Sequence, residues 1–178
     1  PDLLERIAEN LGQGRRWFRE PNVVVGRRGS KGFQGALTGA RLVAELLALG
    51  DPQDYFEIPV NKRLMIPIIA GNLEQARFNL FADMAGMIID APFFAPFVQS
   101  ITRDRLVIAT PADLARPDRP FAGSIEIVAS AATSMAVRGP ATPFQFYDEM
   151  AHVEPGTSKA SAEEIYSSST PAMDQFGT

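Results

Sequence analysis

Val23-Val24-Val25-Gly26-Arg27-Arg28-Gly29-Ser30-Lys31-Gly32 is the stretch on which the reading of the fold turns. Its three β-branched residues follow Pro21-Asn22 and predict a short buried strand over Asn22–Val25. Gly26, Gly29 and Gly32 predict a tight turn over residues 26–32. From Lys31 onward apolar residues recur at helical spacing (Ala36, Leu37, Ala40, Val43, Ala44, Leu47), and Gly50-Asp51-Pro52 ends the run at Leu49. A strand, a glycine turn and a helix that opens on lysine suit a phosphate. Glycines let successive backbone N–H groups point inward, and the helix N-terminus adds partial positive charge. Lys31 would then reach the β- and γ-phosphates as a point charge.

The stretch departs from the phosphate-loop consensus at three places. Val25 stands for the first glycine, Ser30 for the glycine before the lysine, and Gly32 for the Ser or Thr that ligates Mg²⁺. A glycine-rich turn with a surface lysine is the other reading of these ten residues taken alone. A second motif lies downstream. Phe144-Gln145-Phe146-Tyr147-Asp148-Glu149 is an apolar strand that ends in two acids. Nucleotide hydrolysis uses such a pair, the Asp to hold Mg²⁺ and the Glu to polarise the attacking water. A strand that stops at a solvated acidic turn is the plainer alternative, and the two motifs in this order are far more specific than either one.

The remaining chain supplies the frame. Helices are predicted over Asp2–Leu11 and Leu73–Ile89. Strands are predicted over Arg63–Ala70, Val98–Thr102, Leu106–Thr110, Ser124–Ala129, Phe144–Tyr147 and Ile165–Ser168, with a Pro-rich loop over Pro111–Pro120. Strands alternating with helices imply βαβ units and a mainly parallel sheet, with ligands at the carboxyl ends of the strands. The expectation is one α/β domain over residues 1–178, a three-layer αβα P-loop NTPase of the RecA/ASCE type. Met84, Met87 and Ile88 are expected in its core.

Composition narrows the chemistry. With 46% hydrophobic residues the chain is globular, not disordered. It has no Cys and one His, His152, which excludes disulfides, thiolate zinc sites, a Cys nucleophile and His-pair metal motifs. His152 is expected in a supporting role. The net charge of −4 argues against a broad nucleic-acid coat but leaves room for a basic strip. Residues 1–31 hold seven bases and four acids, whereas residues 139–178 hold six acids and one base. No apolar run reaches the roughly 18 residues of a membrane helix, so no membrane partner is expected.

In these motifs the chain resembles the large subunits of tailed-phage terminases, the motors that package viral DNA. Those proteins carry a deviant Walker A of the type Gly-Arg-Arg-x-x-Lys, as in Gly26-Arg27-Arg28-Gly29-Ser30-Lys31, and a Walker B strand that ends in Asp-Glu, as in Asp148-Glu149. They also carry a Ser/Thr-rich coupling motif, as in Ser168-Ser169-Thr170. The resemblance covers their N-terminal ATPase domain, so the sequence reads as a fragment without the RNase H-like nuclease domain.

The resemblance implies ATP and Mg²⁺ as cofactors and double-stranded DNA as the track. It further implies a homo-oligomeric ring, portal protein and small terminase subunit as partners, and a place in the host cytoplasm at the procapsid. It implies Asp148 for the metal, Glu149 for water, Trp17 or Phe18 for adenine contacts and Arg138 as an arginine finger acting on a neighbouring subunit. The segment from Ala70 to Ala76 matches the place where a Gln-Ala pair opens a helix. Two other readings stay open. One is another ATPase such as a superfamily 2 helicase domain, and the other a degenerate domain that binds nucleotide or DNA without hydrolysis, which Gly32 favours.

Overall fold

The computed structural model describes residues 29–116, 122–132, 140–149 and 161–169, together with 9, 12, 13, 23, 118, 120, 171, 173 and 176. The first element is α1, Lys31–Ala48, whose buried face is Ala36, Gly39, Ala40, Val43, Leu46 and Leu47. It ends where Gly50 takes a left-handed conformation, φ 76°, and donates back to the Leu47 carbonyl. A short helix α2, Pro52–Tyr55, follows, its first turn capped by the Asp51 side chain. After strand β1, Leu64–Ala70, the chain forms one continuous helical rod over residues 73–90. The rod comprises α3, Leu73–Ala76, a π-helical turn, Arg77–Phe81, and α4, Ala82–Asp90. Strands β2, Val98–Ile101, and β3, Arg105–Ile108, come next, then helix α5, Pro111–Ala115, and strand β4, Ile125–Ala131. Strand β5, Phe146–Asp148, and helix α6, Ala162–Ser169, complete the described elements.

The strands form one sheet in the order β2-β3-β4-β1-β5. β1 lies inside it, parallel to β4 along its whole length and parallel to β5 over Ile68–Ala70. Its near-continuous apolar run, Leu64-Met65-Ile66-Pro67-Ile68-Ile69-Ala70, is the pattern of a strand covered on both faces. Leu64, Ile66, Ile68 and Ala70 join the main core with α1 and the helical rod, whereas Ile69 joins Ala132 and Ile165 of α6 in a second cluster. Pro67 sits mid-strand without a lost bond. Leu64 donates to Ser124 beside β4 and Met65 to Ala141 on the β5 side, so position 67 faces the β5 side. There the β5 ladder begins only at Ile68, so no acceptor is left waiting.

This sheet corrects the expected fold class. It is mixed, with β2–β3 and β3–β4 antiparallel, and it is not the mainly parallel sheet of a three-layer P-loop NTPase. The cause is connection length. Only Thr102-Arg103-Asp104 joins β2 to β3, too short for anything but an antiparallel return. Two local expectations change as well. Ile165–Ser168 lies in α6, not a strand: the Glu164 N–H donates to Ser161 Oγ (3.1 Å), and Glu163 and Glu164 fill the first turn. The Pro-rich loop contains α5, opened by Pro111 and a reciprocal cap between Thr110 and Asp113. Val23 is 61% exposed and outside any strand, against the buried strand expected over Asn22–Val25, whose other residues lie outside the described ones. The expected Asp2–Leu11 helix also falls largely outside them. No helix among the described residues is long and apolar enough to cross a membrane.

Candidate functional site

Three elements converge at the carboxyl end of β1. β5 pairs Asp148 with Ala70, the last residue of β1, and so delivers Asp148 and then Glu149 to the sheet edge. α1 begins beside them with Lys31. Lys31 Nζ lies 2.7 Å from Asp148 Oδ1 and 3.3 Å from Glu149 Oε1. Asp148 is 5% exposed, whereas the Lys31 side chain is 44% exposed, so a buried carboxylate is neutralised by a cation that reaches in from solvent. Burial pulls the Lys31 pKa down, but hydrogen bonds and charge from Asp148 and Glu149 outweigh it and hold the ammonium above its ordinary value. Lys31 is therefore a cation at any physiological pH.

The backbone at the site is unusual on both sides of the cluster. Ser30, the N-cap of α1, has φ 58° and makes no side-chain cap bond. Glu149 has φ 54°. Two of the three non-glycine residues with positive φ among those described thus flank Lys31 and Asp148. Such backbone costs on the order of 1–3 kcal/mol per residue and persists where the surroundings impose it. Inside α1, Gln34 N–H donates to the Ser30 carbonyl (3.0 Å), and Gln34 Nε2 donates to the Gly29 carbonyl (3.3 Å), so the helix mouth is stitched to the turn before it.

A second layer ties this edge to α6. The Tyr147 hydroxyl donates to Gln145 Oε1 (2.5 Å) and is in hydrogen-bond contact with Ser169 Oγ. Gln145 Nε2 in turn donates to the Ser169 carbonyl (2.9 Å). Ser169 is fully buried, and Tyr147 is the residue immediately before Asp148. Ser168 takes no part, because its hydroxyl bonds back to the Ile165 carbonyl of its own helix (3.0 Å).

Of the residues singled out in the sequence, the structure brings Lys31, Asp148 and Glu149 into direct contact and places Gly29, Ser30 and Gly32 around the helix mouth. It links Ser169 to β5 through Tyr147. Gly26, Arg27, Arg28, Trp17, Phe18, Arg138, Thr170 and His152 lie outside the described residues. Sequence reasoning missed Tyr147 and Gln145, whose alternation on one strand was the available signal, and Asp83, which had none. A Cβ at Gly32 would collide with the Asp83 carboxylate. Among the described residues no three acids or imidazoles come together to hold a metal ion by themselves. Asp148 and Glu149 nevertheless offer the hard oxygen donors that Mg²⁺ takes together with phosphate oxygens and water, so the donor chemistry fits. No family model, no curated protein and no solved structure matches this chain.

Proposed function

We propose that this chain binds ATP and hydrolyses it as the ATPase domain of a viral DNA-packaging motor of the terminase large-subunit kind. The supporting observation is the meeting of Lys31 with Asp148 and Glu149 across 118 residues of sequence. The proposal rests on that site and not on the sheet pattern. The β- and γ-phosphates would take Lys31 from its carboxylate partners by offering more negative charge at the mouth of α1. Asp148 would then be free to hold Mg²⁺, which supplies charge neutralisation on the phosphates. Glu149 would orient a water in line with the γ-phosphorus. The water oxygen forms the new P–O bond, the bond to the bridging oxygen of the ADP leaving group breaks, and the water proton passes to Glu149 or a phosphate oxygen.

The motor half of the proposal comes from the resemblance. Subunits would form a ring on double-stranded DNA at the portal of a procapsid in the host cytoplasm, with the small terminase subunit. Arg138 of one subunit would stabilise transition-state charge in the next. The Tyr147–Ser169 contact supports a route by which a shift at Asp148 reaches α6.

Isothermal calorimetry with ATP and Mg²⁺ tests the site. Lys31→Ala is expected to weaken binding by more than tenfold, about 1.4 kcal/mol. Glu149→Gln is expected to keep binding and lose turnover. Unchanged affinity in the lysine variant would remove the phosphate cradle. One observation favours binding without hydrolysis, namely Gly32 in place of a hydroxyl residue, and a wild-type chain that binds but never turns over would establish that reading instead. The ring is tested by mixing Arg138→Ala with Glu149→Gln subunits. Recovery of activity in the mixture is expected, and its absence sinks the trans-acting arginine.

A further inference from the structure

Position 32 lacks the hydroxyl that a phosphate loop uses beside its metal, and the structure shows what stands there. A Cβ built on Gly32 would meet Asp83 Oδ2 well inside contact distance, with Asp83 Cγ at 3.6 Å. The carboxylate is placed by the packing of two helices. Leu80 lies against Gly35 and Met84 against Gly39, so the glycine face of α1 receives the rod at successive turns, with Asp83 against its first. Asp83 belongs to the first turn of α4, directly after the π-helical turn. α1 has no acidic residue in its own first turn, and Ser30 offers it no side-chain cap. Among the described residues no hydrogen bond or ion pair engages the Asp83 carboxylate. An uncommitted carboxylate is thus held against the first turn of the helix that opens with Lys31.

We propose that Asp83 supplies, from the neighbouring helix, the oxygen that residue 32 lacks, acting as a positioning residue for a Mg²⁺-bound water. This rests on the ATP site proposed above. A water-mediated role agrees with the absence of a three-acid metal cluster among the described residues, because Mg²⁺ keeps several of its waters. Partners at that distance matter, since their removal typically weakens metal affinity by roughly 10–100-fold. The charge also predicts a reversal of sign. Without metal a carboxylate beside the phosphates repels them, and with metal it favours the complex. A carboxylate that merely complements the dipole of α1 would affect stability and leave the metal dependence untouched.

The test is binding of a non-hydrolysable ATP analogue across a Mg²⁺ titration, using Asp83→Asn and the double variant Gly32→Ser/Asp83→Ala. The double variant removes the collision and restores a hydroxyl at position 32. Asp83→Asn is expected to raise the half-saturating Mg²⁺ concentration by roughly tenfold, with tighter nucleotide binding than wild type in EDTA. The double variant is expected to recover most of the Mg²⁺ dependence. A titration in Asp83→Asn that overlays the wild type overturns the inference, whether or not the double variant folds. A folded double variant that stays impaired also overturns it. A wild-type chain that binds no nucleotide at any Mg²⁺ concentration overturns the ATP site itself, a distinct result from binding that ignores Asp83.

Discussion

Two buried aspartates at opposite ends of the same sheet solve the same problem in different ways. Asp113 is 6% exposed and Asp148 is 5% exposed. Asp113 lies near the start of β4, where the main-chain N–H groups of Thr110 (2.8 Å) and Ser124 (2.9 Å) both donate to its Oδ2. The Ser124 hydroxyl donates to its Oδ1 (2.5 Å) and also lies 3.0 Å from Gln53 Oε1. Gln53, itself buried, donates to the Lys62 carbonyl. Burial pushes the Asp113 pKa up, but these donors outweigh it and hold the carboxyl below its ordinary value. Asp148, in contrast, depends on the long side chain of Lys31. Donors fixed in the backbone cannot leave, whereas a half-exposed lysine can. The first arrangement locks a turn, and the second is a charge pair that another anion can open.

The contrast is broken most directly at Asp148. Asp148→Ala is expected to lower ATP turnover by at least about a hundredfold, since it removes the proposed metal position. It should cost under about 1 kcal/mol of stability, because Lys31 can return to water. A melting temperature that collapses in this variant would make Asp148 structural after all. Asp113→Ala is the converse. It strands two buried N–H donors at about 1–3 kcal/mol each, and a loss of roughly 3 kcal/mol corresponds to a fall in melting temperature of about 10 °C for a chain of this length. Differential scanning calorimetry would measure it, and a loss below about 1 kcal/mol would show that the network carries little.

Tyr147→Phe sharpens the comparison at the active edge. It removes one hydroxyl shared by Gln145 and Ser169, worth about 1 kcal/mol. If α6 follows events at Asp148, hydrogen exchange in residues 162–169 should differ between nucleotide-free and nucleotide-bound wild type, and that difference should shrink in the variant. Equal protection in all states would detach α6 from the site. The smallest expected effect is on pH dependence. Arg77 holds the Asp104 carboxyl below its ordinary value, and the Thr110–Ser124 network does the same for Asp113. Both groups therefore contribute stability that is fully present above the unfolded range, about pH 4, and is lost as pH falls through their lower folded values. Urea unfolding between pH 2.5 and roughly 6 should show a shallower acid loss in Asp113→Asn than in wild type. Parallel curves would exclude Asp113 as a source of that slope.

The positions of the five strands and of α1 were legible in the sequence, because apolar runs and helical spacing record burial directly. Their pairing was not. Alternation of strands with helices suggested crossovers, yet the direction of β2 against β3 is set by the three residues Thr102-Arg103-Asp104. Ile165 looked like a strand residue, but Ser161 and Glu164 had already written a helix start in front of it. At the site, Lys31, Asp148 and Glu149 were readable because each sits at the end of a recognisable element. Asp83 was not, because its approach to Gly32 depends on how two helices pack.

That packing carries a consequence for the tolerance of the chain to change in length. Residues 77–81 form a π-helical turn inside an otherwise α-helical rod, which accommodates one extra residue without breaking it. Deleting one residue there would let the turn revert to α geometry while swinging everything downstream by about 100°. Asp83 and Met84 would leave Gly32 and Gly39 together. The segment from Arg77 to Phe81 therefore works as a phase setting: substitutions that keep its length preserve the approach to the helix mouth, and a frame-preserving loss of one codon erases it.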